Sequence, residues 1–185
     1  MLSPIGKIPV MQHDDFTLAD STAICGYLDR AYPDPPIYPT GDARAYARAL
    51  WWEQYSGSVF SNVVHPLFFE TFVNPNVNKI PTDKAKVDHV LTNAMPEMFG
   101  YLESQIGQQG FLVGSTQTVP DWHLVSALTT MHYLGFALDA QRYPRVESLF
   151  RRTIRTPAMR QALRDEQPAV QGMGLKSAFL GDVLV

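Results

Sequence analysis

The chain has 185 residues, of which 45% are hydrophobic and 18% are charged, and its formal net charge at pH 7 is -3. This composition is ordinary for a globular protein, and the charge gives no general attraction to nucleic acid or to an anionic membrane surface. No apolar run approaches the ~20 residues that cross a bilayer. The single cysteine, Cys25, excludes an intrachain disulfide and a CxxC metal or redox motif. We expect a cytoplasmic protein without a metal site.

The first 32 residues predict a small α/β unit. Two short, β-prone apolar runs lie on either side of a turn signal at residues 13–15, a pattern typical of a β-hairpin. A helix is predicted next, with Asp20 or Ser21 as its N-cap and Tyr32 near its end.

Residues 33–41 predict a stiff connector. Proline fixes φ and removes a backbone donor, so four prolines within seven positions cannot continue a helix. After Gly41 the apolar residues recur at helical spacing, which predicts an all-helical domain over residues 42–185.

Two long helices are predicted at the start of this domain. The first runs from about Asp42 past Phe60, and an Asn-Pro-Asn sequence at residues 74–76 should end any continuation. The second covers about residues 82–106, and Pro96 inside it predicts a kink.

A third helix, from Val119 to about Leu134, is apolar on all sides. Between Asp121 and Asp139 its only titratable side chains are histidine and tyrosine, which is typical of a helix at the centre of a bundle. Thr118 and Asp121 have the spacing of a capping box, with Asp in place of the usual Glu or Gln. We expect this cap to satisfy N–H groups that would be costly to bury unpaired.

Two more helices are predicted near residues 144–155 and 157–165, each with proline at its start. From Gln167 onward we expect an irregular tail. Seven arginines crowd residues 142–164, and such a patch could bind a polyanion. The apolar residues there keep helical spacing, so the favoured interpretation is that the arginines form the solvent side of these helices.

The sequence favours neither a catalytic nor a metal-binding role for its thiol and imidazole groups. Cys25 lies in a predicted helix with nothing nearby to lower its pKa. No metal-ligand spacing connects His65, His89, His123 and His132. Most aromatic residues of the first long helix are expected in the core, with some at a cleft: Tyr46, Trp51, Tyr55, Phe60, Phe68, Phe69 and Phe72.

Two short segments have both a structural and a functional interpretation. A cis Ile8–Pro9 bond would turn the Ile8 backbone outward to pair with an extended peptide, whereas a plain edge-strand proline is the alternative. At Asp20–Ser21 the helix N-terminus can hold a ligand carboxylate, with Asp20 meeting an ammonium group. An ordinary N-cap is the alternative there.

Six short motifs follow one another along the chain: Gly-Lys-Ile-Pro-Val, Asp-Ser-Thr-Ala-Ile, Tyr-Leu-Asp-Arg-Ala-Tyr-Pro, Phe-Leu-Val-Gly, Thr-Val-Pro-Asp and Tyr-Pro-Arg-Val. In this order and spacing, from about residue 4 to residue 165, the chain resembles a bacterial cytosolic glutathione transferase. The resemblance implies a mainly α fold. The all-helical C-terminal domain at residues 42–185 would be preceded by a connector and by a partial thioredoxin-like α/β unit at residues 1–32.

The resemblance also implies a glutathione site. The residue before the cis-proline, Ile8, would pair with the cysteinyl backbone of glutathione beside Pro9. Asp20 and Ser21 would hold the γ-glutamyl end, and Lys7 would help to hold the glycine carboxylate. Glutathione would be the co-substrate, and a small apolar electrophile would be the second substrate.

Family members begin with a strand, a helix and a second strand that carry the thiol-activating Ser, Tyr or Cys. The resemblance therefore implies a shortened chain with no catalytic residue, inactive by itself although the intact protein would conjugate glutathione. The alternative is a non-catalytic interaction or assembly module. A homodimer is implied, formed partly by helices near residues 43–55 and 87–102, with no nucleic-acid or membrane partner.

Overall fold

The computed structural model describes residue 3, residue 6 and residues 8–184. Over these residues the chain is mainly helical, with eight α-helices, three π-helical segments and one two-stranded sheet. None of the helices in the described part is long and apolar enough to cross a membrane.

The N-terminal unit is a hairpin with a helix packed on it. Strand β1 (Val10–His13) pairs with β2 (Phe16–Ala19) in antiparallel orientation, and helix α1 (Ser21–Ala31) follows. The hydroxyl of Tyr27 in α1 lies 2.6 Å from Nδ1 of His13, which ties the helix to the hairpin. The predicted hairpin and helix are confirmed.

The first helical rod is continuous over residues 43–78. Helix α2 (Ala43–Val59) passes without a break into a π-helical segment at Phe60–Val64. Helix α3 (His65–Phe68) and a second π-helical segment at Phe69–Asn78 complete the rod.

Each π-helical segment in this rod lies next to or around a proline. In a regular α-helix the proline ring clashes with the carbonyl four residues earlier, whereas a wider π turn moves that carbonyl away. Pro66 follows the first π segment and Pro75 lies inside the second. The prediction that residues 74–76 end the helix is therefore wrong. The rod ends at Lys79, whose φ of 58° is left-handed.

The second rod repeats this arrangement. Helix α4 (Lys84–His89), a π-helical segment at Val90–Ala94 and helix α5 (Met95–Gln105) follow one another without a break. Pro96 is the second residue after the π segment, so the irregularity predicted there takes the form of wide turns. The side chain of Asp83 caps α4, which confirms the predicted start of this helix.

A buried carboxylate joins the two rods. Glu70 accepts hydrogen bonds from the Asp83 backbone N–H at 3.1 Å, the Asn74 amide at 3.1 Å and the Lys86 ammonium at 3.2 Å. The Asp83 N–H is the main cause that holds the pKa of Glu70 below its ordinary value. The end of the first rod and the start of the second are thereby held together.

Helix α6 (Val119–Tyr133) lies at the centre of the bundle, and a capping box begins it. The Asp121 carboxylate is fully buried and accepts the backbone N–H groups of Leu112 and Thr118, each at 2.9 Å. The Thr118 hydroxyl lies 3.2 Å from the same carboxylate. This one side chain satisfies the start of α6 and also holds the loop before it.

Helices α7 (Pro144–Ile154) and α8 (Pro157–Gly172) close the bundle. The prediction of an irregular tail from Gln167 is wrong, because α8 continues through Pro168 to Gly172. Packing explains the extension, since Val170 is buried in the core. Helical spacing in the sequence is too weak there to show this contact.

The arginines of α7 lie on its solvent side, as predicted. Arg151 and Arg152 are exposed, whereas Val146 and Phe150 are buried. The Arg152 guanidinium also lies 3.9 Å from the centre of the Phe111 ring, a cation–π contact that covers the loop before α6.

The aromatic residues of the first rod are less buried than predicted. Trp51, Phe60 and Phe69 are exposed, and Trp52 is the tryptophan of this helix that enters the core. The buried face of α2 also carries Ala49, whose small side chain lets α2 pack closely against α6.

Replacing Asp121 by Ala should lower the free energy of unfolding by about 2–4 kcal/mol, because two buried N–H groups lose their acceptor. Thr118→Ala removes only a cap hydroxyl and should cost about 1 kcal/mol. Urea denaturation followed by circular dichroism measures both. Asp88→Ala, at an exposed carboxylate of α4, is the control and should change stability by less than about 0.5 kcal/mol. Equal midpoints for all three variants would contradict this account of the cap.

Candidate functional site

A cleft with a volume of about 800 Å³ lies between the N-terminal unit and the helical bundle. Its lining comes from the segment before β1, from α1, from the connector, from the first rod, and from α6 and α8. The cleft is thus formed by parts of the chain that are far apart in sequence.

One face of α6 forms the floor of the cleft. Val119, Trp122, Ser126, Thr130 and Tyr133 line it at intervals of three or four residues, which is the repeat of one helix face. At 1.5 Å per residue this face is about 21 Å long. The cleft therefore extends along the whole helix.

Three of the five predicted glutathione-binding residues, Ile8, Pro9 and Ser21, line this cleft. The Ile8–Pro9 peptide bond is cis, which is the geometry that the functional interpretation of this motif requires. The Ile8 side chain is 93% exposed, so its packing contributes little to the core. Lys7 lies outside the described residues.

Asp20 is the N-cap of α1, as the structural interpretation predicts. Its Oδ1 accepts the Ala23 backbone N–H at 3.1 Å, and it is not part of the cleft lining. Its φ of 83° is rare for a residue other than glycine, a strain of about 1–3 kcal/mol that tends to occur at ligand sites. The next two N–H groups, of Ser21 and Thr22, have no partner within the helix.

Glu53 is a cleft residue that the sequence analysis missed. It is only 2% exposed, and its Oε2 accepts the Tyr38 hydroxyl at 2.7 Å. Its Oε1 has no hydrogen-bond partner among the described residues. Burial, reinforced by this bond, raises the pKa of Tyr38 far above its ordinary value. Its position in the sequence could have predicted its burial, because Glu53 lies at helical spacing from Ala49 and Ser56 on the buried face of α2.

His123 and Cys25 face the same cleft from α6 and α1. Burial lowers the pKa of His123, against the opposing effect of Glu53 and Asp20, so the imidazole is neutral at pH 7. Burial raises the pKa of the Cys25 thiol, and the charges of Glu53 and Asp20 raise it further. A thiolate is disfavoured here. The described residues contain no group of three or more His, Cys, Asp or Glu side chains suited to a metal.

The far end of the cleft is apolar with one carboxylate. Met159 and Leu163 line it from α8, and the Tyr133 hydroxyl donates to Oε1 of Glu166 at 2.6 Å. Burial, together with this bond, raises the pKa of Tyr133. The cleft thus offers free backbone donors at the α1 end and an apolar, aromatic chamber along α6, which suits a small molecule with one polar and one apolar part.

Iodoacetamide should alkylate Cys25 more slowly than a free cysteine at pH 8, because burial and two nearby carboxylates keep its thiol protonated. The rate should rise as the pH increases through 9 and above. Since the chain has one cysteine, mass spectrometry of the whole protein measures the reaction without ambiguity.

Removing the nearby charge tests the electrostatic part of this prediction. Glu53→Gln should accelerate alkylation at a given pH, while Asp88→Asn on α4, away from the cleft lining, should leave the rate unchanged. A wild-type rate equal to that of a free thiol would contradict the prediction.

Comparisons with known families match both parts of the chain. The family described as glutathione S-transferase, C-terminal domain, matches residues 68–165, and the N-terminal domain of the same enzymes matches residues 1–36.

Among curated relatives, a probable glutathione S-transferase, GSTF1, of Oryza sativa subsp. japonica is 24% identical over 86% of this chain and 73% of its own length. Elongation factor 1-gamma 2 of the same plant is 27% identical over 91% of this chain, which spans only 39% of that protein. A solved glutathione S-transferase-I bound with lactoylglutathione superposes with a TM-score of 0.73 at 22% identity. The match covers 93% of this chain and 76% of the other, and it shows that the fold is shared. Because the match to the C-terminal domain covers more than half of this chain, the chain belongs to the glutathione S-transferase family.

Proposed function

We propose that this chain binds glutathione in the cleft, and that the intact protein is a cytoplasmic glutathione transferase that joins glutathione to a small apolar electrophile, although the chain by itself is inactive. The proposed glutathione contacts are Lys7, Ile8, Pro9, Asp20 and Ser21. The observation that carries the proposal is that one cleft brings the cis Ile8–Pro9 segment and Ser21 together with the apolar face of α6.

The local geometry supports a role for each contact. A carboxylate of the γ-glutamyl group at the start of α1 would meet the unpaired N–H groups of Ser21 and Thr22 and the Ser21 hydroxyl. The Asp20 carboxylate stands beside this point for the ammonium group. The exposed Ile8 backbone ahead of the cis bond is free to pair with the cysteinyl backbone, because the described residues give it no hydrogen bond.

In conjugation the glutathione sulfur forms a bond to an electrophilic carbon, the leaving group departs with its electrons, and the thiol proton goes to solvent. A donor close to the sulfur would favour the thiolate by lowering its pKa. Among the described residues we assign no such donor. The hydroxyls of Tyr38 and Tyr133 already donate to carboxylates, and the Cys25 thiol is itself protonated.

Calorimetric titration of the 185-residue chain with glutathione tests the binding part of the proposal. Ser21→Ala should weaken binding on the order of tenfold, because a hydrogen bond to a charged carboxylate is lost. Ser104→Ala, at an exposed serine of α5, should leave it unchanged. Conjugation of an aromatic halide by this chain should be undetectable. Unchanged affinity in Ser21→Ala would contradict the assignment, and turnover at the rate of an active relative would show that a catalytic group has been missed.

An interaction or assembly module is the second candidate. The match to an elongation factor over 91% of this chain favours it, because that relative's name denotes no transferase. Adding residues encoded upstream of Met1 and repeating the conjugation assay separates the candidates. Turnover gained on extension supports the enzyme, whereas glutathione binding without turnover in any form supports the module.

We also propose a homodimer, with an aromatic patch formed by Trp51, Tyr55 and Tyr101 at the contact. The Tyr55 and Tyr101 ring centres are 5.2 Å apart across α2 and α5, and Trp51 lies 6.2 Å from Tyr55. Trp51 is 54% exposed and Tyr101 is 40% exposed, so a large apolar surface faces solvent in the single chain.

Sedimentation should show a dimer at micromolar protein concentration, and Trp51→Glu should shift it toward monomer, because a charge would have to be buried at the contact. Ile80→Glu is the matched control. Ile80 is 53% exposed, lies outside the patch, and should leave the dimer intact. A wild-type chain that stays monomeric at the highest concentrations would contradict the proposal.

A further inference from the structure

The charged side chains among the described residues that line the cleft are acidic. Glu53 and Glu166 are the acidic side chains among the described lining residues, and none of those described residues is Lys or Arg. A cleft lined by one sign of charge lowers the local concentration of ligands of that sign and raises the concentration of the opposite sign.

Glu53 acts from a buried position. Only one of its carboxylate oxygens is bonded, to Tyr38, and the other has no partner among the described residues. The side chain is 2% exposed but lines the cavity, so water screens its charge less than that of a surface carboxylate.

Glu166 acts at the far end of the floor. The Tyr133 hydroxyl holds its Oε1 at 2.6 Å and leaves Oε2 without a partner in the described part of the chain. Met159 and Leu163 stand on the same side of α8 at helical spacing, so the carboxylate adjoins an apolar wall. A ligand packed on that wall would place a polar substituent next to Glu166.

Aromatic rings in the lining also favour a positively charged ligand. Phe60 lines the cleft from the first π-helical segment, and Trp122 and Tyr133 line it from α6. The face of an aromatic ring attracts cations and stacks on other rings. A flat aromatic ligand with a positive group therefore finds both of its parts complemented.

We propose that the cleft selects its aromatic ligand by charge: it prefers molecules that carry an ammonium group over those that carry a carboxylate, with Glu166 as the charge-selecting residue. This inference rests on the proposed function at one point, which is that the aromatic ligand is the electrophile. It then names the class of that substrate as aromatic ammonium compounds.

Three probes of one shape, 1-naphthylmethylamine, 1-naphthalenemethanol and 1-naphthaleneacetate, test the proposal when they are titrated at pH 7 by calorimetry. The ammonium probe should bind on the order of tenfold more tightly than the carboxylate probe. This is the effect expected of one nearby charge whose field is partly screened by water. The neutral alcohol should lie between them. Rising salt should reduce the difference.

Matched variants assign the effect to its residue. Glu166→Gln keeps an acceptor for Tyr133 and should lower the ammonium-to-carboxylate ratio by about threefold or more, with little change for the alcohol. Glu53→Gln should also lower the ratio. Asp165→Asn makes the same change in net charge at the neighbouring exposed position, outside the lining, and should leave the ratio unchanged.

The proposal is overturned if the carboxylate binds as well as the ammonium, or if the alcohol does not bind at all. It is also overturned if Asp165→Asn lowers the ratio as much as Glu166→Gln, which would make the effect one of net charge. Glutathione binding is titrated separately. Its absence with the charge preference retained would count against the proposed function alone.

Discussion

The structure depends above all on the buried carboxylate of Asp121. Helix α6 is apolar on every side, so it is stable only inside the bundle, and its first N–H groups must be satisfied without water. Asp121 meets this need while also holding the Leu112 N–H of the preceding loop. Because α6 is the floor of the cleft, this cap also sets where Trp122, His123 and Tyr133 stand relative to the N-terminal unit.

The two helical rods are held to this centre in spite of their prolines. Wide π turns accommodate Pro66, Pro75 and Pro96 within continuous helices. Each rod is therefore long enough to contact several parts of the bundle. The first rod provides Glu53 to the cleft and Trp51 to the opposite, exposed side. Glu70 then joins the rods at their other end. Wide turns at the prolines thus keep each rod continuous, and one buried carboxylate joins the two rods.

Three of the buried carboxylates among the described residues, Glu53, Glu70 and Asp121, have different consequences because their partners differ. Glu70 and Asp121 accept two or more hydrogen bonds each and hold segments of backbone in place. Glu53 accepts one, from Tyr38, and is itself a lining residue of the cleft. Burial is the main cause that raises the pKa of the Cys25 thiol, and the nearby Glu53 carboxylate adds to it and opposes the lowering of the His123 pKa.

The sequence by itself determined the hairpin and helix α1, the start of the second rod, the buried helix with its capping box, and the order of motifs that resembles glutathione transferases. These are local patterns of spacing, capping and turn residues, which act through neighbours along the chain. Tertiary structure alone decided that the first rod continues past Pro75, that α8 reaches Gly172, that Trp52 rather than Trp51 is buried, and that Glu53 enters the cleft. Each of these depends on contacts between residues distant in sequence. The free energy of such packing exceeds that of the local helix or turn preference, so packing decides the outcome.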